Sequence, residues 1–287
     1  MTQTVFSFGH GYSAQALSRV LSPLGWRITG TTRDIDGSDA IRASGADPVI
    51  WPDKVPDLDG VTHLLISTAP TEDGDPVLAA LGDHIAERAE QFEWVGYLST
   101  TAVYGDHQGA WVDEQTPPAP TAKRGRWRMR AEQQWSAIPN LPVHIFRLAG
   151  IYGPGRGPFS KLKRGGLRRI IKPGQVFSRI HVDDIAQVLA ASMAAPNPGA
   201  IYNVCDDEPV PPQDVIAYAA ELQSLPIPPA VPYDEADMTP MARSFYNENK
   251  RVKNDRIKDE LGVQLLYPHY RVGLEALLSD PDNSTDQ

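Results

Sequence analysis

Short β-rich runs alternate with longer helical periods over the first half of the chain. Thr4–Phe8, Trp26–Thr31, Pro48–Trp51, His63–Thr68, Trp94–Ser99 and Val143–Leu148 read as strands, rich in β-branched and aromatic residues. Between them, Ala16, Leu17, Val20 and Leu21 mark one apolar helix face, and Leu78, Leu81, Ile85 and Ala89 mark another at spacings of three and four. This alternation predicts an α/β fold, a doubly wound parallel sheet covered by helices on both faces. The loop Asp113–Pro120 separates a strand from a helix over Arg126–Ser136, and a loop of that length beside a sheet end often carries function. After Tyr152 the character changes. Gly153-Pro-Gly-Arg-Gly-Pro158 opens an irregular basic stretch, and Pro226–Pro232 is a second proline-rich connection, so the C-terminal third reads as a smaller, loop-rich lobe.

Composition narrows the class. A chain of 287 residues that is 41% apolar buries a sizeable core. The single cysteine, Cys205, has no disulfide partner, and neither metal ligands nor a catalytic base accompany it, which points to a reducing compartment. Met1 leads at once into Val5, Phe6 and Phe8 without a basic flank, and no apolar run approaches the ~18 residues that span a bilayer, so the chain reads as cytoplasmic with no membrane partner. A net charge of −9 argues against nucleic acid. Lys161, Lys163, Arg164, Arg168, Arg169 and Lys172 form one basic segment, readable as a solvated face or flexible loop, or as a seat for an anionic group. A small-molecule substrate is expected; homo-oligomerisation stays open.

Gly9-His10-Gly11-Tyr12-Ser13-Ala14 has the form G-x-G-x-x-G/A, following a strand and opening a helix within a βαβ unit. Gly9 makes the tight turn, Gly11 admits a pyrophosphate, and the helix N-terminus beyond, at Tyr12 and Ser13, offers free N–H groups. The expected architecture is therefore Rossmann-type and the expected ligand a nicotinamide dinucleotide. The second strand ends Thr32-Arg33-Asp34. Arg33 matches a 2′-phosphate and Thr32 supplies a hydroxyl, whereas Asp34 would repel that phosphate if turned inward, so NADP(H) is expected ahead of NAD(H). Ser67, Thr68, Ala69 and Pro70, after the fourth strand, complete the expected cofactor-binding set. Residues 1–155 form the predicted dinucleotide-binding domain, with 180–205 returning to it. Residues 156–179 and 206–280 form the substrate lobe, and 281–287 a flexible tail.

Six segments taken in order resemble the extended and atypical short-chain dehydrogenase/reductase superfamily, in particular its NAD-dependent epimerase/dehydratase-like, or nucleoside-diphosphate-sugar epimerase-like, bacterial members. They are Gly9–Ala14, Ser99-Thr-Thr-Ala-Val-Tyr-Gly105, Arg147-Leu-Ala-Gly-Ile-Tyr-Gly-Pro154, Ile180-His-Val-Asp-Asp-Ile-Ala186, Tyr202-Asn-Val204 and Asn249-Lys-Arg251. The resemblance implies a hydroxyl at Thr100 that orients the reacting oxygen, a tyrosine as general acid/base, and a lysine four residues later that holds the ribose and lowers the tyrosine pKa. A free phenol titrates near ~10, so a nearby cation is needed.

The chain departs from that pattern at the decisive place. Aligned through Ala131-Glu132, Arg128 stands at the lysine position and Arg124 at the tyrosine position. The four-residue spacing keeps both on one helix face, with Trp127, Ala131 and Trp135 as an adjacent packing stripe. Arg128 still suits ribose hydroxyls. Arg124 cannot carry the proton, because guanidinium is in effect never deprotonated; it suits a carboxylate or phosphate. Tyr104 and Tyr152 are the alternative acid/base candidates, each with a packing role as its rival. Tyr246-Asn-Glu-Asn-Lys250 is a literal Tyr-x-x-x-Lys in the wrong place and reads as coincidence. His181 reads as a packed residue before a helix capped by an aspartate. Nothing points to a metal. Gly150 replaces the asparagine that the resemblance implies for nucleotide-sugar substrates. Two readings follow: an NADP(H)-dependent oxidoreductase or epimerase/dehydratase-like enzyme on a small polar, anionic or neutral, sugar or carbonyl substrate, or a non-catalytic NADP-responsive binding or regulatory protein that has lost its tyrosine.

Overall fold

The computed structural model describes residues 3–53 and 55–279; the tail predicted over 281–287 lies outside them. A seven-stranded parallel sheet is built from β1 (Thr4–Phe8), β2 (Arg27–Thr32), β3 (Asp47–Ile50), β4 (His63–Ile66), β5 (Trp94–Thr100), β7 (Val143–Leu148) and β11 (Ile201–Val204), in the order β11-β7-β5-β4-β1-β2-β3. The sequence reversal beside β1 makes the crevice at the carboxyl ends of β1 and β4 the natural ligand site of such a sheet. β4, β5 apart from its last residue, and β7 are buried along their lengths, as expected of parallel strands covered on both faces.

Helices α1 (Tyr12–Leu21), α2 (Ser38–Ala43) and α6 (Val182–Ala194) cover one face, with Leu17, Leu21, Ile41, Ile185 and Leu189 in its core. Helices α3 (Pro76–Glu87) and α4 (Lys123–Ser136) cover the other, with Val77, Leu81, Ile85, Ala131 and Trp135. Burying each such aliphatic side chain is worth roughly 1.5–3 kcal/mol. The predicted face of α1 holds except at Val20, which is 40% exposed.

Short parallel pairs build the rest. β8 (Gly150–Tyr152) pairs with β10 (Arg179–His181), β9 (Arg169–Ile171) with β12 (Ala230–Pro232), and β6 (Trp111–Val112) with β13 (Arg251–Val252). Helices α5 (Phe159–Arg164), α7 (Pro212–Leu222) and α10 (Tyr270–Ser279) enclose a separate apolar cluster of Tyr152, Leu162, Val215, Ala219 and Leu274. α8 (Pro240–Phe245) and α9 (Asp255–Asp259) complete the chain. The basic segment is more ordered than its composition suggests. Lys161, Lys163 and Arg164 lie on α5, and Arg169 opens β9 while its Nε donates to the Pro228 carbonyl at 2.8 Å. Among the described residues, no helix is long and apolar enough to cross a membrane.

Candidate functional site

The fingerprint folds into a cradle. Gly9 sits at φ 75°, and its N–H donates to Thr31 Oγ1 at 2.7 Å. A Cβ there would lie 3.0 Å from Thr68, so a side chain is excluded on two grounds. Gly11 differs. A Cβ there would meet only the Gly9 carbonyl, at 3.9 Å, and otherwise project into open space. Helix α1 behind it has no side-chain cap and no acidic residue in its first turn, so its leading N–H groups face that space unpaired. These residues fit a dinucleotide pyrophosphate.

His10, between the glycines, is a lock. Its ring is buried against Gly30 and hydrogen-bonds Ser18 at 3.1 Å and Ser44 at 3.3 Å; burial lowers its pKa to about 4 and keeps it neutral. The hydroxyl of Tyr12 donates to the Pro154 carbonyl at 2.8 Å, which joins the fingerprint to the loop after β8, and Ser13 is buried beneath. At the end of β2, Thr32 packs on Gly37, and Asp34 Oδ1 accepts from the Gly37 N–H at 3.2 Å to cap the short turn 35–37. Arg33 is exposed and, among the described residues, has no hydrogen bond or ion pair. The aspartate is occupied and the arginine free.

The reacting-centre residues gather at the ends of β4 and β5. Past β4, Ser67 donates its N–H to the Phe8 carbonyl at 2.8 Å, which brings Thr68, exposed Ala69 and buried Pro70 over the cradle. Arg128 Nη1 donates to the Leu98 carbonyl at 2.7 Å, the Thr68 carbonyl at 3.2 Å and the Tyr97 hydroxyl at 3.3 Å. Thr100, ending β5, accepts from the Ala102 N–H at 3.2 Å, which leaves its hydroxyl proton to donate. Gly125 fixes how near α4 comes, because a Cβ there would lie 2.8 Å from the Ala102 carbonyl and 2.9 Å from Pro120. Arg124, one turn before Arg128, is exposed; among the described residues its side chain has one polar contact, from Nη1 to Met241 Sδ on α8 at 3.9 Å.

Both tyrosines weighed as acid/base candidates lie in the packed interior, the rival role the sequence offered for each. Tyr104 is wholly buried; its hydroxyl donates to Asn203 Oδ1 at 2.7 Å and accepts from Arg147 Nη1 at 3.0 Å. Burial pushes its pKa up to about 12, against the pull of Arg147. Arg147 in turn holds Glu132 of α4 through two bonds, at 3.2 and 2.8 Å, and Ser99 donates to the same carboxylate. Tyr104 is thus a strut in a buried charge network, its proton given to Asn203 and its oxygen held by Arg147. Tyr152 is buried against Gly273 of α10, and burial raises its pKa far above the usual phenol range. His181, rather than an aspartate, caps α6, its Nδ1 accepting from the Asp183 N–H at 3.3 Å. Asp184 instead accepts from the Leu266 and Tyr267 N–H groups.

Tyr246 packs edge-on to Phe177, and Lys250 donates to the Gly105 carbonyl and to Glu248, both at 2.8 Å. Lys250 belongs to a clasp. Asn249 accepts at its carbonyl from His107 and Gly109 N–H, donates its own N–H to Asp106, and binds Val176 N–H and the Gly174 carbonyl with its side chain. The tripeptide Asn249-Lys-Arg251 therefore ties the turn after β5 to the second lobe. Its motif was visible in sequence, but its role was not.

Comparison with known proteins follows this geometry. No family model matches the chain. It is 30% identical over 273 residues to protein YeeZ of Escherichia coli K12, covering 91% of this chain and 94% of that one. A structure described as a functionally unknown conserved protein from Silicibacter pomeroyi is 77% identical with a TM-score of 0.96, covering 98% of this chain and 100% of that chain. Two more distant structures share the fold. UDP-glucuronic acid 4-epimerase from Bacillus cereus in complex with NAD is 15% identical, with a TM-score of 0.75 over 96% of this chain and 97% of that one. Human epimerase family protein SDR39U1 with NADPH is 16% identical, with a TM-score of 0.74 over 97% of this chain and 100% of that one. The fold is the one that these two epimerase structures have. The chain belongs to the family of protein YeeZ.

Proposed function

We propose that the protein is an NADP(H)-dependent oxidoreductase or epimerase-like enzyme acting on a small polar sugar or carbonyl compound. The observation that carries this reading is the placement of Arg128. Its guanidinium joins the Thr68 carbonyl, beside Gly9 of the cradle, to the Leu98 carbonyl, two residues before Thr100. That one residue couples a dinucleotide seat to a hydroxyl at the end of β5. A bound nicotinamide would supply hydride transfer. Thr100 would donate its hydroxyl proton in a hydrogen bond to the substrate oxygen, and Arg128 would hold ribose hydroxyls with its remaining N–H groups. Free Arg33 and the capping use of Asp34 support the phosphorylated cofactor.

One observation favours a second reading, a dinucleotide-responsive binding protein without turnover: Tyr104 and Tyr152 are both buried. The experiment that separates the two is NADPH oxidation across a panel of sugar and ketoacid carbonyl compounds, wild type against Thr100→Ala. Turnover that falls ~10²-fold or more in the variant supports the enzyme. NADPH binding without turnover on any compound supports the binding protein.

A further inference from the structure

Helix α4 is electrostatically out of place. Lys123, Arg124, Arg126, Arg128 and Arg130 fall within its first eight residues, in a chain of net charge −9. Its first turn holds two cations, no acid and no side-chain cap, although the positive end of a helix dipole disfavours cations. Among the described residues, none of the five forms an ion pair. Glu248, which comes to the start of this helix, is already consumed, accepting from Thr121 at 2.6 Å and from Lys250 at 2.8 Å.

The five cations divide by direction. At 100° per residue, Lys123, Arg126 and Arg130 lie on the side away from buried Ala131, Glu132 and Trp135, whereas Arg124 and Arg128 lie on the same side as those three. Arg128 is anchored at the strand ends by three hydrogen bonds. Arg124 instead reaches Met241 of α8, so its guanidinium sits where α4 meets α8. A contact to a thioether uses one N–H weakly and leaves the planar fork open.

We infer that Arg124 is the seat of an oxyanion on the substrate, so that the substrate class is a small molecule bearing a carboxylate or phosphate group, held by the Arg124 fork where α4 meets α8. This rests on the proposed enzyme reading for the word substrate, while the anion site itself stands on the unpaired guanidinium. The fork binds either group bidentately, and a point charge in its place would bind less well.

The test is titration of the full chain, with and without saturating NADPH, using inorganic phosphate and malonate as probes, in wild type, Arg124→Ala, Arg124→Lys and Arg130→Ala. Arg130 serves as the control because it is a cation of the same helix on its solvent face. The expected result is saturable binding of at least one probe, weakened about tenfold or more in Arg124→Ala, weakened less in Arg124→Lys, and unchanged in Arg130→Ala. Phosphate preferred over malonate marks a phosphorylated substrate, and the reverse a carboxylate. NADPH affinity stays at the wild-type value in all variants. Wild-type probe affinity in Arg124→Ala, an equal loss in Arg130→Ala, or no saturable binding of either probe to wild type overturns the inference. Failure of wild type to bind NADPH overturns the dinucleotide reading alone, because the titration without cofactor still scores Arg124.

Discussion

The Arg147 guanidinium lies 4.8 Å from the centre of the Tyr104 ring and donates to its hydroxyl at 3.0 Å, so the tyrosine that follows Thr100 in the turn after β5 is committed to the core. Tyr104→Phe then leaves Arg147 and Asn203 each short of a partner, at a cost of about 1–3 kcal/mol. The urea midpoint should fall while the NADPH dissociation constant holds. An unchanged midpoint with abolished turnover would return Tyr104 to the chemistry. Glu132→Gln should cost more, roughly 3–5 kcal/mol, because it leaves a buried guanidinium without its charge partner.

The open space above Gly11 gives a clean separation of fold from binding. Gly11→Val places a branched side chain where only the Gly9 carbonyl lies nearby, at 3.9 Å, so circular dichroism should match the wild type while NADPH titration shows no binding. Wild-type affinity in a folded variant would remove the fingerprint from the site.

Arg33→Ala should weaken NADPH about tenfold or more and NADH hardly at all, measured by calorimetry, because it removes the free guanidinium at the end of β2. Equal losses for both cofactors would contradict the assignment of Arg33 to the extra phosphate.

Stability should peak near neutral pH for reasons that lie in the core. Asp206 is 1% exposed, and burial raises its carboxyl to about 8, mainly through desolvation and against the pull of the Arg179 charge. A carboxyl raised in the folded state stabilises while protonated, and that contribution falls by about 1.4 kcal/mol per pH unit as the pH rises toward 8, above which little of it remains. His10, His63 and His144 run the other way. Burial lowers each to about 4, so the unfolded chain takes up their protons first as pH falls below ~6.5, and folding is opposed until about 4. Urea unfolding from pH 5 to 9 measures both arms. Asp206→Asn should flatten the alkaline arm, and a slope that survives it would exclude Asp206 as its origin.

Much of this architecture was legible in periodicity, because parallel strands and the helices over them repeat locally. All six predicted strands lie in the sheet, within a residue or two of their expected ends. The cradle was legible too, since Gly9, Gly11 and Thr68 are placed by turn chemistry and strand ends. What stayed hidden joins distant segments. Tyr104 and Asn203 are 99 residues apart, and Glu132 and Arg147 belong to different elements, so no period marks them. A faint signal existed in β7, where Arg147 sits among Val143, Ile145, Phe146 and Leu148. A charge inside a wholly buried strand must find a partner. Tyr97, which turned out to face Arg128, offered no such cue.

Gly125 has a reach beyond packing. With the Ala102 carbonyl so close, the separation between α4 and the end of β5 is set by backbone atoms, which do not yield as side chains do. The missing side chain works as a ruler: it fixes how far Arg128 must extend to reach Leu98, and it leaves its neighbour Arg124, turned toward α8, outside that constraint. Position 124 is therefore free to vary while the scale of the site stays fixed at 125.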